Sequence, residues 1–252
     1  MSGEPWSPLT AALDRAADQG CTIAVWLRDD DAVAPSPALA RLTATCERHA
    51  MPVLLAVIPA NAIPELAAFT AEHPMLAATQ HGYSHANHAA PGERACELGG
   101  GRPLAAILDD LRRGRERLTH LFGSTAADIL VPPWNRIDDA VRPALAGLGF
   151  RALSTFGPVV APMVGIATLN TDLDIIDWRN GKVCRAHAAL VQRLATLVDD
   201  AVARPHPIGL LTHHLIHDEA AWSFLDQGLQ HLARHSAVRF ASAADLCRPL
   251  SG

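Results

Sequence analysis

The run Thr22-Ile-Ala-Val-Trp-Leu-Arg-Asp-Asp-Asp-Ala32 decides how this chain is read. Its first half is apolar and β-type, which predicts a buried strand over 22–27. Its end carries three consecutive carboxylates, Asp29, Asp30 and Asp31. Adjacent acids at the end of a buried strand repel one another, and a divalent metal or a cationic partner would offset that cost. Further along, a second apolar segment ends in His81-Gly-Tyr-Ser-His85. Hard oxygen plus two imidazoles is a plausible set of zinc ligands.

The same strand-then-polar pattern recurs outward from these two segments. Strands are expected over 22–27, 53–58, 75–79, 128–131, 152–154, 173–176 and 208–212, with a weak one at 238–240. Helical patterns lie near 9–18, 38–49, 63–72, 104–121, 138–148, 187–203 and 219–235. Apolar strands alternating with helices predict an α/β fold, a parallel sheet with outer helices. About seven such repeats without a Gly-rich phosphate fingerprint favour a barrel over a doubly wound sheet. Nothing marks a linker or a low-complexity tract, so one domain over 1–252 is expected, with 156–165 as a long Pro/Gly-rich loop.

Bulk composition narrows the function. A chain of 252 residues can bury a substantial core, and with only 5% aromatic residues that core is built from Ala, Leu and Val. The formal charge is −5, and the Arg-rich segment 104–120 is interleaved with Asp109, Asp110 and Glu116. That is a solvated helix face, so no nucleic-acid partner is expected. No window approaches a membrane span and the N-terminus does not read as a secretory leader. Five scattered cysteines without a CxxC pair fit reduced thiols, so the expected location is cytoplasmic.

The polar clusters all follow strands. Asp29–Asp31 follows the first, His81–His88 the third, and Pro132-Pro-Trp-Asn-Arg136 the fourth. Asp177-Trp178-Arg179 follows the sixth and His213-His214 the seventh. In a parallel barrel the C-terminal strand ends open on one face, where active sites sit. One of the acids could ligate metal while a second, close but unbound, acts as a base. Arg28 could hold a carboxylate ionised. His81 and His85 could chelate from a helical turn, although Gly82 favours a tight loop. Trp134, on a stiff Pro-Pro turn, suits a wall against a sugar ring, and Arg136 could bind a carboxylate. A histidine after the last core strand could protonate a leaving group, with Asp177 orienting it. Each has a plainer reading: a charged loop, surface histidines, a Pro-Pro corner with Trp134 in the core, a structural strand-end histidine. His217, followed by Asp218 and Glu219, reads as a helix cap.

In this order the segments resemble the polysaccharide deacetylase family, the nodulation-protein-B-type (family 4) carbohydrate esterases. The matching stretches are Asp30-Asp31-Ala32, His81-Gly-Tyr-Ser-His85, Val131-Pro-Pro-Trp134, Asp177-Trp178 and Leu211-Thr-His213, over residues 22–215. The resemblance implies an irregular (β/α)7 barrel holding a divalent metal, usually Zn2+. It implies Asp31, His81 and His85 as metal ligands, Asp30 as base, His213 as acid, and Trp134, Arg136, Asp177 and Trp178 as substrate contacts. The implied function is a metal-dependent deacetylase in carbohydrate metabolism. It would remove an acyl group from an N-acylated sugar by water activated at the metal. The chain departs from the pattern in places. The third acid allows an Asp29/Asp30 register. Leu130-Val131 stand where the family has an arginine before the Pro-rich motif. His214 competes with His213. Family members acting on polymers are mostly exported, so a small intracellular substrate is open. Two other functions remain: hydrolysis of a small linear or cyclic amide in the cytoplasm, and metal-stabilised binding without turnover.

Overall fold

The structure is a computed structural model and describes residues 5–159 and 163–247. Residues 160–162 of the expected loop, and the first four residues on which the leader was judged, lie outside the described residues. The strands are β1 (Ile23–Ala32), β2 (Val53–Val57), β3 (Leu76–His81), β4 (Ala127–Val131), β5 (Ala152–Leu153), β6 (Ala167–Thr168), β7 (Leu173–Asp174), β8 (Ile176–Asp177), β9 (Val183–Cys184), β10 (Ile208–Thr212) and β11 (Val238–Phe240). The α-helices are α1 (Ser7–Asp18), α2 (Pro37–Arg48), α3 (Pro64–Glu72), α4 (Leu104–Phe122), α5 (His187–Ala203), α6 (Glu219–Ala233) and α7 (Ala243–Leu246).

The chain divides into two compact units. One holds the residues up to Asp29, Pro37–Val53 and Thr171–Leu246; the other holds Asp30–Ser36 and Leu54–Asn170. In the former, β10 pairs with β1 and β7, and β11 pairs with the other side of β1, all in parallel. The register sets Asp29 opposite Thr212 and Leu211 opposite Asp174. Helix α1 packs along α5, burying Leu9, Leu13 and Ala16 on one side and Leu194 and Val198 on the other. In the latter unit the strand order is β2-β3-β4-β5-β6, and the pairings from β3 onward are parallel. Its core joins Ile107 and Leu111 of α4 to Leu130, Leu153, Val141 and Phe150. Helix α4 forms because buried positions Ile107, Leu111, Gly114 and Leu118 recur at helical spacing, and it stops at Gly123, whose φ is 60°.

Three departures from the sequence expectation have physical reasons. Strand β1 continues through all three acids to Ala32, because Asp29 and Asp30 are themselves buried and paired into the fold rather than looped out. No α-helix forms over 138–148; a short 3-10 turn at Arg142–Ala144 stands there instead. Pro143, mid-segment, removes a helical N–H and clashes with the preceding turn. The strand expected over 173–176 is broken into β7 and β8, the second pairing antiparallel with β9. Among the described residues no helix is long and apolar enough to cross a membrane. All five cysteines are free thiols, and burial pushes the Cys46 thiol up.

Candidate metal centre

Asp31, His81 and His85 converge. Their ligand atoms lie within 4.8 Å of one another, and no other such group occurs among the described residues. Asp31 Oδ1 is 3.2 Å from His81 Nε2 and 3.3 Å from His85 Nε2. Donors ~2.0–2.1 Å from a tetrahedral zinc would be separated by about 3.3–3.4 Å, which both Asp31–imidazole distances match, and three donors leave one position open.

Each donor is aimed by local backbone. His81 ends β3, and its Nδ1 lies 3.0 Å from the Val131 carbonyl, which turns Nε2 toward Asp31. A second contact of this kind is what fixes the tautomer of a ligating imidazole. Asp31 has φ 76° and His85 φ 58°, the left-handed region. In this unit the non-glycine residues with positive φ are Asp31, His85, Trp134 and Asn135. Such conformations cost about 1–3 kcal/mol each and persist where surrounding structure enforces them. Here Asp31 and His85 each bear a donor, and the Trp134 ring sits 4.3 Å from the His85 ring. Burial, and then the neighbouring His81, hold His85 below the usual imidazole range, against the pull of Asp31 and Glu97. The neutral imidazole favoured in this way is the ligating form. Asp30, immediately before Asp31, is buried. Arg136 donates from Nη1 to the Ala95 carbonyl at 2.7 Å, tying the Pro-rich turn to the irregular segment between His85 and α4.

The other unit carries its own polar cluster at the end of β10. Asp29 and His214 are fully buried. Asp29 Oδ2 accepts from Thr212 Oγ1 at 2.7 Å and from the His214 N–H at 2.9 Å, while Oδ1 meets His214 Nδ1 at 2.5 Å. Burial alone would raise the Asp29 carboxyl, but His214, His217 and Thr212 outweigh it and hold it low. Asp29 is thus occupied by an imidazole on its own strand pair, and the oxygen beside His81 and His85 belongs to Asp31.

His213 packs edge-on against Trp178 at 4.7 Å. The Trp178 indole N–H is held by Asp174 Oδ2 at 2.7 Å, and the ring remains 40% exposed. Burial raises the Asp174 carboxyl, with His213 the main opposing influence. Asp177 instead caps its own turn, accepting from Arg179 and Asn180, so the acid near His213 is Asp174. Sequence reasoning passed over Asp174. The available signal was its place at the end of a core strand, three residues before the turn. His217 accepts from the His213 N–H at 3.4 Å and lies edge-on to Trp222. Burial pushes it down to about 4.

No family model matches this chain, and no curated protein does. Solved structures do. A protein of Mycobacterium smegmatis classed with the polysaccharide deacetylases is 19% identical, with 90% of each chain covered and a TM-score of 0.66. A family 4 carbohydrate esterase from Streptomyces lividans, solved with acetate, is 17% identical over 86% of this chain and 91% of its own, TM-score 0.57. A mutant family 4 pseudoenzyme with restored activity is 15% identical over 90% of this chain and 68% of its own, TM-score 0.59. The fold is therefore the (β/α)7 type of the polysaccharide deacetylases, with parallel strands and outer helices.

Proposed function

We propose that the protein is a metal-dependent hydrolase that removes an acyl group, acetyl in the first instance, from an N-acylated sugar or a carbohydrate-like substrate. The observation that carries the reading is the convergence of Asp31, His81 and His85 within a deacetylase-type fold. The acetate held by the Streptomyces lividans esterase is the anion that deacetylation releases. A divalent cation, zinc first, would be held by these three side chains and would polarise the acyl carbonyl and acidify the attacking water. Asp30 accepts the water proton, being buried and one residue from the metal-binding Asp31. His213 gives a proton to the departing amine, its ring packed against Trp178, whose indole Asp174 holds. Trp134 and Trp178 offer ring faces to the sugar, and Arg136 and Asp177 polar contacts. Five free cysteines fit a reducing compartment, so the reading favours a small cytoplasmic substrate.

The test is acetate release from N-acetylated sugars by zinc-loaded protein. Asp30→Asn should keep the metal and lose about 10²–10⁴-fold in turnover, the usual contribution of a general base. Loss of metal from Asp30→Asn would overturn the assignment of Asp30 and Asp31. One observation favours a second reading, a binding protein: the fold is shared with a pseudoenzyme. Tight binding of an N-acyl sugar without turnover would establish it.

A further inference from the structure

The turn between the two metal histidines is held by a side chain outside the donor set. Glu97 is fully buried in a stretch of chain that is otherwise largely exposed from Ala89 to Arg94. Its Oε1 accepts from the Ser84 N–H at 2.7 Å and from Ser84 Oγ at 3.0 Å. Its Oε2 accepts from the Tyr83 N–H at 3.1 Å. These are the residues between His81 and His85. A turn that bends through left-handed Gly82 and His85 leaves consecutive N–H groups without ladder partners, and successive N–H groups of this kind form a cradle for an anion. The fit is close on the other side as well. A Cβ at Gly82 would stand 1.9 Å from Glu97 Oε2 and 2.6 Å from the Pro133 ring. Only glycine allows the carboxylate to come this near. Glu97 thus sets its carboxylate on the residues that join the two histidines, beside any cation they hold.

We propose that Glu97 is a positioning residue of the metal centre: it fixes the His81–His85 turn in its ligating shape and adds a second negative charge beside the cation. It is not a ligand, and the inference rests on the reading of Asp31, His81 and His85 as the metal site. The test is zinc affinity, measured by chelator competition on the full chain, for wild type, Glu97→Gln, Ser84→Ala and His81→Ala. In Glu97→Gln the amide NH2 must face an N–H donor and the charge is gone. The expected result is a wild-type circular dichroism spectrum with zinc affinity 10–100-fold weaker, the usual effect of losing a group that orients a ligand. A dissociation constant within twofold of wild type would overturn the proposal. If Glu97→Gln does not fold, Ser84→Ala decides, since it deletes one of the three bonds and leaves the core intact. A several-fold loss of affinity supports the proposal, and an unchanged affinity overturns it. His81→Ala separates the two levels. If it binds zinc as wild type does, the metal reading itself fails; if it alone loses zinc, that reading stands and the role of Glu97 falls.

Discussion

Replacing Asp29 with alanine tests whether the acid triplet divides its work as the geometry indicates. The Asp29 carboxylate is fully buried and takes three bonds, from Thr212 Oγ1, the His214 N–H and His214 Nδ1. Asp29→Ala takes a buried acceptor from all three donors, and the Arg28 carbonyl 3.4 Å from Thr212 Oγ1 offers a replacement to one of them. Removing one partner of a buried charge-paired group costs about 3–5 kcal/mol, much of it the penalty of the stranded partner. For a chain of this size each kcal/mol moves Tm by about 2–4 °C, so Asp29→Ala should lower Tm by roughly 6–20 °C. Asp29→Asn is milder. Its carbonyl can keep the Thr212 and backbone bonds, while its amide donates to an imidazole that has switched tautomer, so about 1–2 kcal/mol is expected. The assay is urea unfolding of chelator-treated protein, with zinc affinity measured separately on folded samples. Folded Asp29→Asn should bind zinc as wild type does. A loss of stability under about 1 kcal/mol in Asp29→Ala would refute the reasoning. So would wild-type stability combined with lost zinc, because that would make Asp29 a working member of the metal site.

Zinc at 100 times its dissociation constant should stabilise the folded chain by about 2.7 kcal/mol, roughly 5–11 °C in Tm, and His81→Ala should abolish the shift in a thermal melt. His217 is held neutral, with a pKa of about 4 against an ordinary 6.5, so the unfolded chain takes up its proton first as pH falls. Stability should therefore drop between pH 6.5 and 4 by about 3 kcal/mol from this group, at about 1.4 kcal/mol per unit, and be unaffected by it above pH 7. Urea titrations of His217→Phe should show that slope reduced; an unchanged slope would rule out His217 as its source. Gly82→Ala places a Cβ into Glu97 and strains a left-handed residue by about 1–2 kcal/mol, so zinc affinity should fall at least tenfold in chelator competition.

Much of the fold was legible because it is written in local pattern. Apolar runs such as Val53–Val57 and Ile208–Thr212 are strands buried along their length, and such runs read directly from sequence. The convergence of Asp31, His81 and His85 was legible because these residue types are rare together at strand ends. What stayed hidden depends on long-range geometry or on single dihedrals. Asp29 meets His214 across 185 residues, and nothing near Asp29 announces an imidazole. Asp174 and Asp177 are chemically alike and three residues apart; only the break between β7 and β8 turns one inward and caps a turn with the other. Glu97 sits in an irregular segment without period, where a lone acid reads as solvated. Its one sequence signal is its place between Cys96 and Leu98, apolar neighbours in a polar stretch.

The electrostatic difficulty posed by three adjacent carboxylates is met by sending them to different partners, and backbone geometry is what allows it. A regular strand points residues i and i+2 to the same side, so Asp29 and Asp31 would share one environment and repel within it. The left-handed φ of 76° at Asp31 breaks that alternation at the last acid, one residue before the end of β1. Asp29 stays in the regular part, registered opposite Thr212, and bonds to His214. Asp31 swings to within 3.2–3.3 Å of His81 and His85. A regular β conformation at Asp31 would remove the cost of that dihedral, about 1–3 kcal/mol, and would return its carboxylate to the side of Asp29. Asp31→Gly, which relaxes the dihedral and deletes the donor, should then leave or raise apo stability while losing zinc. A destabilised apo Asp31→Gly would mean that the kink is not strained and that the strand, not the metal site, requires it.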